Sequence, residues 1–182
     1  GKNGGAIYQG DAKNCTFIGN SAHHGGAMNC EDNTQAYTAE GCTFIGNSAN
    51  GGGATYCIDV VNCIFTNNTS TVDGGAVYKR TAVNCTFTGN TAERDGGAIF
   101  KGDAENCTFT GNHAKSSGGA IYMGNASDSI FTDNHADDDG GAIFNGGAIN
   151  CNFTGNRAKD HGGAIHHGDG KFTASNCTFN NN

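Results

Sequence analysis

The sequence predicts an all-β fold, a single parallel β-solenoid of eight rungs. Three observations carry this expectation. A unit of about 22 residues repeats eight times, two markers inside it keep a fixed phase, and the apolar content is too thin for an ordinary globular core. Of 182 residues, 31 are Gly and 24 are Asn, none is Pro or Trp, and only 36% are apolar. Such a composition suits either a disordered chain or a thin fold in which each unit buries a few small side chains against its neighbours. Regular periodicity decides for the thin fold.

The first marker, Gly-Gly-Ala, begins at Gly4, Gly25, Gly52, Gly74, Gly96, Gly118, Gly140 and Gly162, with spacings of 21, 27 and then 22 throughout. The second is Phe followed three residues later by Asn: Phe17/Asn20, Phe44/Asn47, Phe65/Asn68, Phe87/Asn90, Phe109/Asn112, Phe131/Asn134, Phe153/Asn156 and Phe179/Asn182. Each Phe lies 13 residues after its Gly-Gly, except in the second and eighth units. Those carry insertions around Glu31–Ala36 and Gly168–Phe172. The repeat runs through the whole chain, so residues 1–182 are read as one domain.

Within a unit the elements follow in order. The Gly-Gly doublet supplies a turn. Ala98-Ile99-Phe100 is a short strand, Ala104 and then Asn106-Cys107-Thr108-Phe109 form the next, and Ala114 follows Asn112. Gly, Asn, Asp and Ser lie between them and favour turns. No stripe has helical spacing, and Thr, Ile, Phe and Tyr dominate the strands. Three strands of three to five residues and three turns fit one 22-residue coil.

Stacking at roughly 4.8 Å turns equivalent positions into columns. Phe forms one interior column. Cys15, Cys42, Cys63, Cys85, Cys107, Cys151 and Cys177 form another, broken by Ser129. Ala or Val from Ala12 to Ala174 fills a third, and Ile7, Met28, Thr55, Val77, Ile99, Ile121, Ile143 and Ile165 a fourth. Two Asn columns are expected to sit at corners. One runs from Asn20 through Asn47, Asn68, Asn90, Asn112, Asn134 and Asn156 to Asn182. The other comprises Asn14, Asn62, Asn84, Asn106, Asn150 and Asn176, with Gly41 and Asp128 as exceptions. The Asn and Phe ladders are expected to hold the fold together.

The paired GGA[I/V] and FxxN signature resembles the repeat of chlamydial polymorphic membrane proteins. The stretch NCTFTGNTAERDGGAIF, Asn84–Phe100, is similar to the adhesin-like surface proteins of methanogenic archaea. The resemblance covers all eight units. It implies a right-handed parallel β-helix, an extracellular, cell-surface location and an attachment role, and it carries no catalytic residue across.

Several residues invite chemistry beside a plainer role. Nine Cys is an odd number. Cys30 and Cys57 hold the same place on consecutive rungs, where Gln9, Lys79, Lys101, Asn145 and His167 stand in other units, so the position is expected to face outward. A Cys30–Cys57 disulfide is expected in oxidised protein, and Cys151 and Cys177 are further candidates. The other ladder thiols read as small buried hydrophobes. Asp137, Asp138 and Asp139 form a local acidic cluster that could take Ca²⁺, although no Ca²⁺ repeat motif is present. His113 and His135 share a column and could pair on a metal, while solvated turn histidines are the plainer reading. Tyr8, Tyr56, Tyr78, Phe100, Tyr122 and Phe144, then His166, form a stripe that simple alternation places outside, as a candidate face for glycan or protein. Sequons occur at Asn14, Asn67, Asn68, Asn84, Asn106, Asn125, Asn152 and Asn176. Asn68 and Asn125, near turns, are the expected glycosylation sites, and the Asn-Cys-Thr copies are read as partly buried.

The net charge of −7 and ten scattered basic residues argue against nucleic acid. No apolar run is long enough to span a membrane as a helix. The chain opens inside a repeat, as a portion of a longer precursor does, and its two ends are nearly in phase. Two functions therefore compete: an adhesin-like stalk with no catalysis, and a filament or sheath subunit that stacks end to end. A polysaccharide-active enzyme is the minor third, by analogy of fold alone.

Overall fold

The computed structural model describes residues 3–31, 35–168 and 172–182. The chain winds as a parallel β-solenoid of eight coils, and its strands stack into four sheets. Three sheets have eight strands and the fourth has six. Among the described residues six coils therefore carry four strands rather than the three expected from sequence, and the first and last carry three. In a representative coil they are Ile99–Phe100, Ala104–Glu105, Thr108–Thr110 and His113–Ala114. Many strands are only two residues long, too short for apolar alternation to reveal.

Corners explain the fourfold section. Four columns of residues sit at left-handed φ. The first is the leading Gly of each doublet, as at Gly96 (φ +68). The second holds Gln9, Cys57, Lys79, Lys101, Met123 and Asn145, with φ from 53 to 58. The third is the column of Asn14, Asn62 and Asn84, and its exceptions Gly41 and Asp128 are also at φ 61 and 51. Asn, Gly and Asp are the residues that tolerate this region, so the apparent exceptions obey one backbone rule. The fourth precedes each ladder Asn and includes Gly46, Asn67, Gly89, Gly111, Asp133 and Gly155.

That fourth column corrects the placement of the Asn ladder. Asn47, Asn68, Asn90, Asn112, Asn134 and Asn156 do not occupy the corner expected from sequence. Each lies one residue past it and is turned into the interior, at most 1% exposed. The preceding residue takes the left-handed φ, which frees the Asn to aim its amide inward rather than at water.

The two glycines of a doublet serve different needs. Gly96 supplies the positive φ. Gly97 has none, yet a Cβ there would lie 2.1 Å from the Gly119 carbonyl oxygen. Equivalent contacts, at 2.0 to 2.1 Å, recur at Gly26, Gly53, Gly75, Gly119 and Gly141. Neighbouring coils touch backbone to backbone at this corner, which admits no side chain.

The core is a set of columns in register. Phe17 pairs with Phe44, and the pairing continues to Phe179. Successive Phe rings stack with centroids 4.7 to 4.9 Å apart. Ala, Ile and Cys columns complete the interior. The Asn ladder beside them is fully bonded. Asn90 gives its backbone N–H and its Nδ2 to Asn112 Oδ1, both at 3.0 Å, and Nδ2 also reaches the Phe65 carbonyl. Its own Oδ1 accepts the same pair of bonds from Asn68. Asn47 makes the same three donations to Asn68 and Phe17, Asn134 to Asn156 and Phe109, and Asn156 to Asn182 and Phe131. A buried amide with every donor and acceptor used avoids the penalty of an unpaired one.

The cysteine column is also hydrogen-bonded, which refines its reading as merely hydrophobic. The N–H of Cys63 points at Cys85 Sγ, 3.4 Å away, and Cys85 Sγ donates to the Val83 carbonyl at 3.2 Å. Ser129 makes both bonds in the same place: Cys107 N–H reaches its Oγ at 3.0 Å, and Oγ donates to the Ser127 carbonyl at 2.7 Å. Of the two insertions, residues 32–34 and 169–171 lie outside the described residues.

Candidate functional site

The aromatic stripe is only partly outside. Tyr56, Tyr78, Phe100, Tyr122 and Phe144 stack in sequence, with centroids 4.6 to 5.2 Å apart. They lie along the furrow left by the glycine doublets: a Cβ built on Gly52 lies 3.1 Å from Tyr78 Cβ, and one built on Gly74 lies 3.3 Å from Phe100 Cβ. Phe100 is buried at 5% exposure, and Tyr56, Tyr78, Tyr122 and Phe144 are half-buried. Alternation failed here because a strand flanked by Gly has no side chain to hold its neighbour's ring upright. Tyr8 is exposed and lies outside the stack, because the residue opposite it on the next rung is Asn29; its hydroxyl donates to Glu31. His24 stacks on Tyr56 instead, at 4.8 Å. Asn29 is buried in this gap, and its Oδ1 has no hydrogen-bond partner among the described residues. A groove of about 530 Å³ opens there, lined by Asn3, His23, His24, Asn29, Glu31 and Tyr56. Burial raises the phenol pKa of Tyr56, Tyr78 and Tyr122 above the usual tyrosine range.

The acidic residues before three of the doublets, Asp73, Asp95 and Asp139, have a structural use. Asp73 Oδ1 faces the N–H of Asp95, Asp95 Oδ1 accepts from Ser117 N–H at 3.2 Å, and Asp139 Oδ1 from His161 N–H at 3.0 Å. Asp73 is buried and gripped at both oxygens by Arg94, a pairing the sequence reading did not find. Burial raises the Asp95 carboxyl above the usual range.

The expected cluster Asp137–Asp139 is divided. Asp137 Oδ1 lies 3.0 Å from His113 Nε2 and 3.1 Å from His135 Nε2. Asp139 Oδ1 lies 2.8 Å from His161 Nδ1 and 3.5 Å from His166 Nδ1. Asp138 is exposed, and it serves its neighbours through backbone bonds, from its N–H to the Ser116 carbonyl and from Asp160 N–H to its own carbonyl. The chain bends at Asp137 and Asp138, past the strand His135–Ala136, and the three carboxylates do not converge on one point. The result is two mixed groups, His113/His135/Asp137 and Asp139/His161/His166. Each holds one carboxylate and two imidazoles, a poor match to the six to eight oxygens of a Ca²⁺ site. The Asp137 carboxyl is held below its usual range chiefly by the hydrogen bond to His113. The His113–His135 column is visible in the sequence. The two-residue step from His135 to Asp137 was the available signal for its third member. His166 was read only as the end of the aromatic stripe.

Cys30 and Cys57 are buried rather than outward-facing. Burial, then the charge of adjacent Cys30, raises the Cys57 thiol. Cys151 N–H points at Cys177 Sγ, 3.4 Å away. Within the column, Cys42 and Cys151 are raised by burial, and Cys85 by its bonds to the Cys107 and Cys63 thiols. Cys42, Cys57, Cys85 and Cys151 are poorly placed to ionise.

The sequon expectation is reversed at several positions. Asn68 is fully buried in the ladder, with Nδ2 bonded to Asn90 Oδ1 and the Phe44 carbonyl. Its amide is closed to glycosylation in the folded chain. The Asn-Cys-Thr asparagines Asn14, Asn84, Asn106 and Asn176 are exposed instead, at their left-handed corners. Asn125 is exposed, and its Oδ1 accepts the Gly147 N–H at 3.0 Å. It borders a groove of about 620 Å³ that also meets Asp103, Asn145, Ile149, His167 and Phe172.

A model of the right-handed β-helix region matches residues 53–182. The chain belongs to this family of right-handed β-helices. A second, shorter match, to the Chlamydia polymorphic membrane protein repeat, covers residues 41–58. No curated protein and no solved structure matches the chain. Among the described residues no helix is long and apolar enough to cross a membrane.

Proposed function

We propose that this protein is an extracellular, cell-surface β-solenoid that mediates attachment and carries out no catalysis. The observation that carries this reading is the polymorphic membrane protein repeat at residues 41–58, set in phase with the other coils of one solenoid. The likeness of Asn84–Phe100 to adhesin-like proteins of methanogenic archaea points the same way. The solenoid acts as a rigid stalk, because each coil is bonded to the next through parallel sheets. The ligand is a cell-surface glycan or protein. The gap between Tyr8 and Tyr56 suits a sugar ring, since it offers exposed aromatic surface beside a buried amide oxygen with no partner among the described residues.

Beads coated with the protein test this reading against cells and purified polysaccharides. Capture that falls in a Tyr8→Ala, Asn29→Ala double variant, with no reducing sugar released, is the expected result. Bare-bead levels of capture on every surface contradict attachment, and release of reducing sugar contradicts the non-catalytic reading.

The parallel register favours a second reading, a self-assembling filament subunit. Parallel sheets present complementary edges above and below, so a copy can add in register by strand addition. Electron microscopy at neutral pH distinguishes it: fibres that lengthen with concentration support the filament, and isolated short rods support the stalk.

A further inference from the structure

We propose that the His113/His135/Asp137 group is a binding site for a divalent transition-metal ion of the Zn²⁺ or Ni²⁺ type. Asp139/His161/His166 forms a second site of the same kind.

The first site is built by the register of the solenoid. His113 and His135 are direct partners on consecutive rungs, and their rings stack at 5.1 Å with an interplanar angle of 27°. Asp137 is two residues beyond His135, at the bend that follows the strand His135–Ala136, and its carboxylate meets both rings. Its Oδ1 sits between the two Nε2 atoms, at 3.0 and 3.1 Å. With metal–ligand bonds of about 2.0–2.2 Å, adjacent ligand atoms lie about 2.9 Å apart in octahedral and about 3.4 Å in tetrahedral geometry. Both His-to-Asp edges already fall in that interval. All three donor atoms lie within 4.8 Å of one another, so only the edge between the two imidazoles must close. The side chains are 34%, 46% and 44% exposed, which leaves the rings free to turn and leaves coordination positions open to water. Imidazole nitrogen with one carboxylate selects the later first-row ions over Ca²⁺ and Mg²⁺. On binding, the metal takes the Nε2 lone pairs, any proton there passing to Nδ1 of the same ring or to water, and it ties one rung to the next. Arg157 follows His135 in the same column and is exposed, so its cation can turn to solvent.

The second site repeats the donor set with Nδ1 atoms. His166 Nδ1 is buried and has no hydrogen-bond partner among the described residues, and it faces Asp139 Oδ1 at 3.5 Å. An uncommitted buried nitrogen beside a carboxylate and a second imidazole is a ligand awaiting a partner.

Titration of the metal-free protein with Co²⁺ and Zn²⁺ tests the proposal. Co²⁺ is expected to give visible absorption bands at two equivalents, and Zn²⁺ to displace it and raise Tm. His135→Gln is expected to lose one equivalent, His161→Gln the other, and the double variant both, with circular dichroism unchanged in all three. Unchanged stoichiometry in the variants overturns the proposal, as does an intense near-ultraviolet thiolate-to-cobalt band, which would place the metal on cysteine. Absence of saturable binding by the wild-type protein also overturns it.

Discussion

Asn90 holds five hydrogen bonds in the buried ladder, three as donor and two as acceptor. Asn90→Ala strands the Asn68 N–H in the interior and removes one bond each from Asn68 Nδ2, which keeps the Phe44 carbonyl, and from the Phe65 carbonyl. At about 1–3 kcal/mol for the unpaired N–H, with the lost bonds beside it added, the expected loss is roughly 3–5 kcal/mol. Thermal unfolding should show Tm falling by about 10 °C. Cysteine positions should behave differently. Ser129 already does a column cysteine's work, so Cys85→Ser is expected to cost less than about 1 kcal/mol, whereas Cys85→Ala leaves the Cys63 N–H unpaired and costs about 1–3 kcal/mol. Cys30 and Cys57 are neighbours on consecutive rungs, and we predict that oxidised, denatured protein titrates with two thiols fewer than the nine of the sequence. A titre of nine contradicts the pairing. For Asp95 the sign follows from its burial. Its folded pKa is raised, so the folded state gains stability as pH falls from the folded pKa toward the unfolded value near 3.8 and loses it as pH rises. Asp95→Asn should therefore raise Tm at pH 7 relative to wild type, with the gain vanishing below about pH 4.

At the scale of the element, the corners decide more than the strands. Gly97→Ala sets a Cβ 2.1 Å from the Gly119 carbonyl oxygen, backbone that cannot yield without parting two coils. Gly111→Ala meets no atom and is strained only by its left-handed φ of +61, at a cost of about 1–2 kcal/mol. Gly111→Asn should be close to neutral, because Asn67 holds the equivalent corner. Denaturant unfolding of the three variants checks this order, and a Gly97→Ala no less stable than Gly111→Ala would contradict it. The same corners show what the sequence could and could not disclose. The Phe, Asn and Cys columns were legible because each keeps one residue type at one phase. The inward aim of Asn47, Asn134 and Asn156 was not, because an Asn next to a turn residue reads like the turn itself. The fourth strand was missed because Lys79, Lys101 and Met123 give no sign in their chemistry of a left-handed turn. The orientation of Phe100 was hidden for a related reason, since alternation cannot register the furrow that two glycines leave. Asn68 was misjudged because a sequon reads the same whether its amide faces water or the ladder.

The whole molecule is a rod in which each coil touches only its neighbours, and stability grows by addition of nearly equivalent interfaces. Such a design keeps the interior uniform and leaves the outer faces free to vary. On those faces the chain departs from its own repeat: Asn29 interrupts the aromatic ladder, and histidines enter beside Asp137 and Asp139. The repeat thus explains the fold, and the departures from it mark where we place the binding of partners. The stalk role requires the rod to stand outside the cell. Antibody labelling of intact cells that produce the protein, with a cytoplasmic protein as control, tests this most directly. The account predicts strong labelling of unbroken cells that protease treatment removes. Labelling that appears only after the cells are broken would contradict it.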